Sequence, residues 1–281
     1  MPTKLDVTDH SRDSAGLTYV YPVLSRRAGG LSIGINLNPN NACNWRCIYC
    51  QVPNLKRGPA PSIDLLQLAR ELEELLEMLR QGRFQPGGLS APALRIVDVA
   101  FSGNGEPTSA REFPQAIETV ARILRKLGLA GEVSIRLITN GSLMGRTKVQ
   151  EGVRRLGELG GEVWFKVDAG TPDGYRRINN VDMSPRSVVR NLRRCAELCG
   201  TWVQTCLFAV DGIPPSESEL AAYVEVLSLA GIERLAGVQL YGLARPSMQP
   251  EAPRLSPLQQ DRVEAIAARL RDQGLTVQIS P

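Results

Sequence analysis

Histidine is nearly missing from this chain, with His10 the single one among 281 residues. It lies in a polar N-terminal stretch of the kind that is often poorly ordered, so the chemistry cannot lean on imidazole as general acid or base. Long apolar runs are missing too. None approaches the ~20 residues a membrane helix needs, which predicts a soluble protein with no membrane partner. No secretory signal opens the chain, and its six cysteines fall into two groups rather than a spread framework. Reduced thiols in the cytoplasm are therefore expected, and disulfides are not. Strong charge is absent as well: the net charge of +4 permits an anionic substrate without requiring nucleic acid. No composition break or linker divides the chain, and 43% hydrophobic content can bury a sizeable core. With the usual acid/base residue gone, a cofactor is expected to carry the hard chemistry.

What is present is a compact set of thiols. Cys43, Cys47 and Cys50 stand at CxxxCxxC spacing in CNWRCIYC, with Tyr49 just before the last. A structural zinc site takes four ligands in a closed shell, and no other cysteine or histidine stands at a spacing that completes this set. Closed Fe–S clusters also use four cysteines. Three thiolates can hold three irons of a four-iron cluster and leave the fourth open, for a substrate or cofactor to complete.

The rest of the chain reads as repeated strand–helix units. Residues 19–24 (YVYPVL) and the turn through 25–30 read as an N-terminal strand and turn, so residues 1–30 form an extension and 31–281 the body. A strand at 31–37 runs straight into the cysteine loop, followed by an amphipathic helix over 62–80 with Ser62 as N-cap. Strands at 94–101, 132–138, 162–167, 202–210 and 235–241 follow, with helices at 112–127, 147–159, 185–199, 216–230 and 256–271, and a short last strand at 276–280. Six such units predict an α/β protein with a parallel sheet and right-handed crossovers, shaped as an open or partial barrel. The distinctive strings all sit at strand C-termini.

Four of those strings, CNWRCIYC, GNGEP, TNG and KVDAG after the first four strands, resemble the radical S-adenosylmethionine (radical SAM) enzymes, over about residues 31–245. The resemblance implies a partial (β/α)6 TIM-like barrel. It implies that Cys43, Cys47 and Cys50 ligate a [4Fe-4S] cluster whose fourth iron is chelated by the amino and carboxylate groups of S-adenosyl-L-methionine (SAM). In the loop Ser102-Gly103-Asn104-Gly105-Glu106, the two glycines would let backbone approach the ligand, and Glu106 would place a carboxylate beside its ammonium. Thr139 and Asn140 would shape the pocket. Lys166 and Asp168, two apart on one strand face, would contact the ribose or carboxylate of SAM, a barrel ion pair being the competing reading. Gln204 and Tyr241 are further cofactor candidates, and Tyr49 would pack near the adenine. The implied reaction is reductive cleavage of SAM to a 5′-deoxyadenosyl radical that abstracts hydrogen from a substrate. An external electron donor such as flavodoxin or ferredoxin is implied. This fits the lack of histidine, because a radical needs orientation and exclusion of solvent more than proton transfer.

Finer spelling, such as GNGEPT, ITNGSL and VQLYGLARP, is similar to the wyosine-synthase-like Fe–S oxidoreductase branch. That branch's tRNA-modifying members carry an extra N-terminal cysteine set, whereas here no cysteine precedes Cys43. A nucleotide, tRNA base or small metabolite is the first substrate reading, a protein or peptide partner the second, and a non-catalytic electron-transfer module the third. Cys195, Cys199 and Cys206 read as small buried hydrophobes or as ligands of an auxiliary cluster. The basic pairs Arg26/Arg27, Lys56/Arg57 and Arg176/Arg177 read as solvated loop charge or as contacts to a phosphate-bearing substrate or an acidic protein.

Overall fold

The computed structural model describes residues 16–25, 28–83 and 95–280. His10, the Arg26/Arg27 pair and the predicted strand start at Leu94 lie outside the described residues. In chain order the elements are β1 (Val20–Ser25), β2 (Gly30–Asn36), β3 (Ala42–Cys43), β4 (Lys56–Arg57), α1 (Leu65–Arg80), β5 (Ile96–Ser102), α2 (Phe113–Lys126), β6 (Ser134–Thr139), α3 (Thr147–Glu158) and β7 (Glu162–Lys166). They continue with α4 (Pro172–Asn179), α5 (Pro185–Leu198), β8 (Gly200–Cys206), β9 (Phe208–Val210), α6 (Glu217–Ala230), β10 (Gly237–Tyr241), β11 (Leu255–Pro257), α7 (Gln260–Arg271) and β12 (Val277–Ser280).

The main sheet runs β1-β2-β5-β6-β7-β8-β10-β12. Every pairing from β2 onward is parallel, while β1 lies antiparallel on β2 as an edge strand of the same sheet. Because each new parallel strand is added on the same side of the last, right-handed crossovers put the helices on one face. β1 and β12 are its two unclosed ends, so the architecture is a partial barrel, with β12 a seventh parallel strand beyond the six of the predicted (β/α)6 unit.

Strand alternation separates the two faces. Leu31, Ile33, Ile35, Val99, Phe101, Leu137, Val163, Phe165, Val203 and Leu240 are buried in the core shared with Leu68, Leu72, Leu75 and Leu76 of α1. The intervening residues face inward, and Ser32, Asp98, Arg136, Glu162 and Gln204 among them are polar. Arg136 of β6 pairs with Asp98 of β5 and, at 2.6 Å, with Glu162 of β7. Its guanidinium sits 4.9 Å over the Trp164 ring, and Ser32 of β2 donates to Asp98. Burial lifts the Asp98 carboxyl above the usual range, with Arg136 and Ser32 pulling the other way. Charge therefore fills the N-terminal end of the barrel interior.

Several boundaries differ from the sequence expectation. α1 starts at Leu65 because Asp64, not Ser62, accepts from the Leu66 and Gln67 amides. The predicted strand 202–210 breaks after Cys206: β9 leaves the sheet to pair antiparallel with β11. Residues 255–257 are thus strand, and α7 begins at Gln260 rather than 256. α4 was not expected. Ser216 caps α6 in a reciprocal box with Glu219.

Candidate functional site

The cysteine loop leaves β2 and is gripped from two sides. On one, the end of α4 accepts from the loop backbone: Arg46 N–H donates to the Asn179 carbonyl at 3.2 Å and Ile48 N–H to that of Ile178 at 2.9 Å. Asn180, left-handed at φ 53°, terminates α4 and returns its side-chain N–H to the Arg46 carbonyl at 2.8 Å. Arg57 donates to the carbonyls of Asn44 and Asn180, tying β4 into the same clasp. On the other side, Ser247 donates to the Ile48 carbonyl at 2.7 Å, and Gln249 to that of Val52 at 2.9 Å. A loop whose carbonyls and amides are answered this fully presents its side chains from a fixed backbone.

Cys43, Cys47 and Cys50 line a cavity of about 280 Å³ in the barrel mouth. Every cofactor-contact candidate singled out from the sequence lines that same cavity, except Asp168. Among the described residues no three Cys, His, Asp or Glu side chains converge on one metal-ion position. Thiolates that each take a separate iron of a cluster need no such convergence. Burial raises the Cys43 thiol to about 12, the Trp45 amide pulling it back; Cys47 is raised further, first by burial and then by the nearby Asp168 charge. As free thiols both hold their protons, so ligation by thiolate must release them.

The GNGEP loop meets the cavity for a reason the sequence did not reveal. A Cβ on Gly105 would stand 2.0 Å from the Ala42 carbonyl oxygen, and one on Gly103 would stand 2.5 Å from Asn36 Oδ1. The start of the cysteine loop and the end of β2 press against both glycines, which leaves no room for a side chain at either. Glu106 is 2% exposed and braces two strand ends. Its Oε1 accepts from the Thr108 amide (3.1 Å), the Thr108 hydroxyl (2.6 Å) and the Thr139 hydroxyl (2.6 Å), and its Oε2 accepts from the Asn140 amide (2.7 Å). Burial raises its pKa while these donors restrain it. Oε2, with one partner, retains acceptor capacity at the cavity wall. Asn104 Oδ1, on the same wall, is buried without a partner.

Lys166 donates to the Tyr241 hydroxyl at 2.6 Å, and its ammonium stands 4.9 Å from the Tyr49 ring centroid and 5.2 Å from that of Tyr241. Burial opposes its charge most strongly, but Asp168 at 3.7 Å together with Tyr241, Cys47 and Cys206 more than offsets it, and the pKa is raised. It is a cation at neutral pH. Asp168 itself faces away from the cavity, accepting from Tyr49 OH (2.5 Å), Asn179 Nδ2 (2.9 Å) and the Cys206 amide (3.2 Å). Its side chain lies behind the wall, as the hub that orients Tyr49. Gln204, paired in register with Lys166 and Gln239, gives an N–H to Gln239 at 3.1 Å and keeps its own Oε1 buried and unpartnered on the cavity wall.

Sequence reasoning missed the α4 residues and the Ser247–Gln249 clamp. The helix-capping Thr171-Pro172 could have found α4; no local signal marks the clamp, which is long-range. Cys195 and Cys199 lie in the main core and Cys206 in a separate apolar cluster with Ile48, Tyr49 and Phe208, so the three do not converge. Arg176 pairs with Asp173 and Asp182, and Arg177 with Glu219. No helix among the described residues is long and apolar enough to cross a membrane.

Comparison with known proteins bears on this constellation. The model of the Radical SAM superfamily matches residues 37–226. A UPF0026 protein of Helicobacter pylori (strain ATCC 700392 / 26695) is 28% identical over 238 residues, covering 84% of this chain and 68% of that protein. A radical SAM methyltransferase from Sphaerobacter thermophilus superposes with TM-score 0.54 at 14% identity, over 92% of this chain and 68% of that one. The structure of tagged anSMEcpe with bound AdoMet gives TM-score 0.52 at 17% identity, over 88% of this chain and 62% of that one. The likeness to these two structures is one of fold.

Proposed function

From membership of the radical SAM superfamily, to which this chain belongs, we propose that Cys43, Cys47 and Cys50 hold the cluster and that the cavity wall around them binds SAM and a small substrate. The chain is an enzyme of that superfamily, whose cofactors are a [4Fe-4S] cluster and SAM. What that pair supplies when bound is a 5′-deoxyadenosyl radical for hydrogen abstraction. The observation that carries the reading is the gathering of all three cysteines on one cavity wall with the C-terminal ends of β5, β6, β7, β8 and β10.

In this reading Glu106 Oε2, held by the Asn140 amide, and Asn104 Oδ1, whose side chain is held by its Nδ2 donating to Asn41 Oδ1, are acceptors suited to the SAM ammonium. Among the described residues Lys166 offers the only ammonium on the cavity wall, suited to a carboxylate or ribose oxygen, and Tyr241 and Asp168 hold it there. Gln204 Oε1 offers an acceptor to an N–H or O–H group. Trp45, Ile48 and Tyr49 are buried around the loop and exclude water from the reacting centre. The substrate in this reading is a nucleotide, a tRNA base or a small metabolite, with a one-electron donor acting from outside. Anaerobic reconstitution tests the assignment: about four irons per chain, and 5′-deoxyadenosine released on adding SAM and reductant, are expected. A chain that binds no iron, or binds it and yields no deoxyadenosine, overturns it.

A further inference from the structure

Asn179 is the last residue of α4 and is fully buried. Its Nδ2 stands 3.2 Å from Cys47 Sγ and 2.9 Å from Asp168 Oδ2, while its Oδ1 is buried with no partner. A buried carbonyl without a donor is uncommon and calls for an explanation. Here the two acceptors supply one. Sulfur and carboxylate both require N–H groups, so the amide can satisfy them only by turning its nitrogen toward both and leaving its oxygen stranded. The orientation is therefore fixed by chemistry rather than by an arbitrary choice between O and N. The backbone points the same way: the same residue's carbonyl accepts from Arg46, next to Cys47. Asp168 acts on the other side, holding the amide in register with one N–H so that the second points at sulfur.

We propose that Asn179 is a positioning residue for the cluster: its side-chain N–H donates to the Cys47 thiolate and thereby sets the reduction potential. An N–H directed at a thiolate stabilises negative charge on sulfur, and a cluster gains one negative charge on reduction, so the bond favours the reduced form. The inference rests on the cluster assignment made above for Cys47.

The test compares wild-type protein with Asn179→Leu, close in volume and lacking the donor, after anaerobic reconstitution. The potential is read by redox titration monitored by electron paramagnetic resonance without SAM. The variant is expected to hold the cluster and to shift its oxidised-to-reduced ratio at fixed potential about tenfold toward oxidised, which for a one-electron couple is about 59 mV more negative. An unchanged or more positive midpoint overturns the proposal. A second measurement needs no variant: wild-type protein carrying 15N only in asparagine side chains should show a 15N hyperfine coupling to the reduced cluster. Its absence overturns the proposal even if Asn179→Leu fails to load iron. A wild-type chain that forms no cluster refutes the functional assignment itself, whereas a loaded, SAM-cleaving wild type with no coupling refutes the role of Asn179 alone.

Discussion

A single methyl group added at residue 105 tests how the GNGEP loop and the cysteine loop depend on each other. In Gly105→Ala the new Cβ would lie 2.0 Å from the Ala42 carbonyl oxygen, where ordinary contact begins at 3.4 Å, so one side must retreat by about 1.4 Å. The obstacle is backbone, and it directly precedes Cys43. Moving it also breaks the 2.9 Å bond from Asn38 Nδ2 to that carbonyl. Overpacking of this kind costs about 1–3 kcal/mol, and a lost buried hydrogen bond adds about 1 kcal/mol. At roughly 2–4 °C per kcal/mol for a chain of this size, Tm of the metal-free protein should fall by roughly 5–15 °C. Because Ala42 carries Cys43 with it, reconstituted iron should fall well below wild type. Gly145→Ala is the control: nothing lies within 4 Å of its added Cβ, and a change within about 0.5 kcal/mol is expected. If Gly105→Ala melts like Gly145→Ala and loads full iron, the packing argument is wrong.

Cys47→Ala leaves two thiolates on the loop and should abolish cluster binding, read as iron content and visible absorbance; retained iron with SAM cleavage would refute the ligand assignment. Arg136→Met strips the buried Asp98 of its cation and should cost about 3–5 kcal/mol, a fall in Tm on the order of 10 °C; a melt unchanged from wild type would show that the barrel floor is not held by charge. Burial raises the Cys195 and Cys199 thiols to about 12, and alkylation proceeds through thiolate. Their labelling in native protein, mapped by peptide, should therefore keep rising about tenfold per pH unit beyond the ordinary thiol pKa of about 8.5, and a plateau near that value would count against burial.

The strand–helix alternation was legible because parallel strands buried against helices carry strong β-branched runs, and because each ends in a polar string. The cysteine loop and its place after the first barrel strand were legible from the sequence. Asp168 was readable as a motif residue, but not as a hub behind the wall, because its partners Tyr49, Asn179 and Cys206 come from three other segments. α4 hid because eight residues containing Gly174, Asp173 and two arginines resemble a loop. The break after Cys206 hid because a continuous apolar run carries no mark of a strand changing sheets. Gly103 and Gly105 showed that room was needed, and only the fold showed for what.

Glu106 carries a consequence for how a ligand is received. Of its four accepted bonds, two from Thr108 fix its own loop after β5 and two, from Thr139 and Asn140, join that loop to the end of β6 before anything enters the mouth. Little of the loops' conformational freedom is left to lose on binding, so the cost of ordering them is met at folding rather than at association. Recognition at this end of the barrel is then a matter of a rigid receptor: affinity should respond sharply to a change of one atom in the ligand, and little to the stiffness of the loops that hold it.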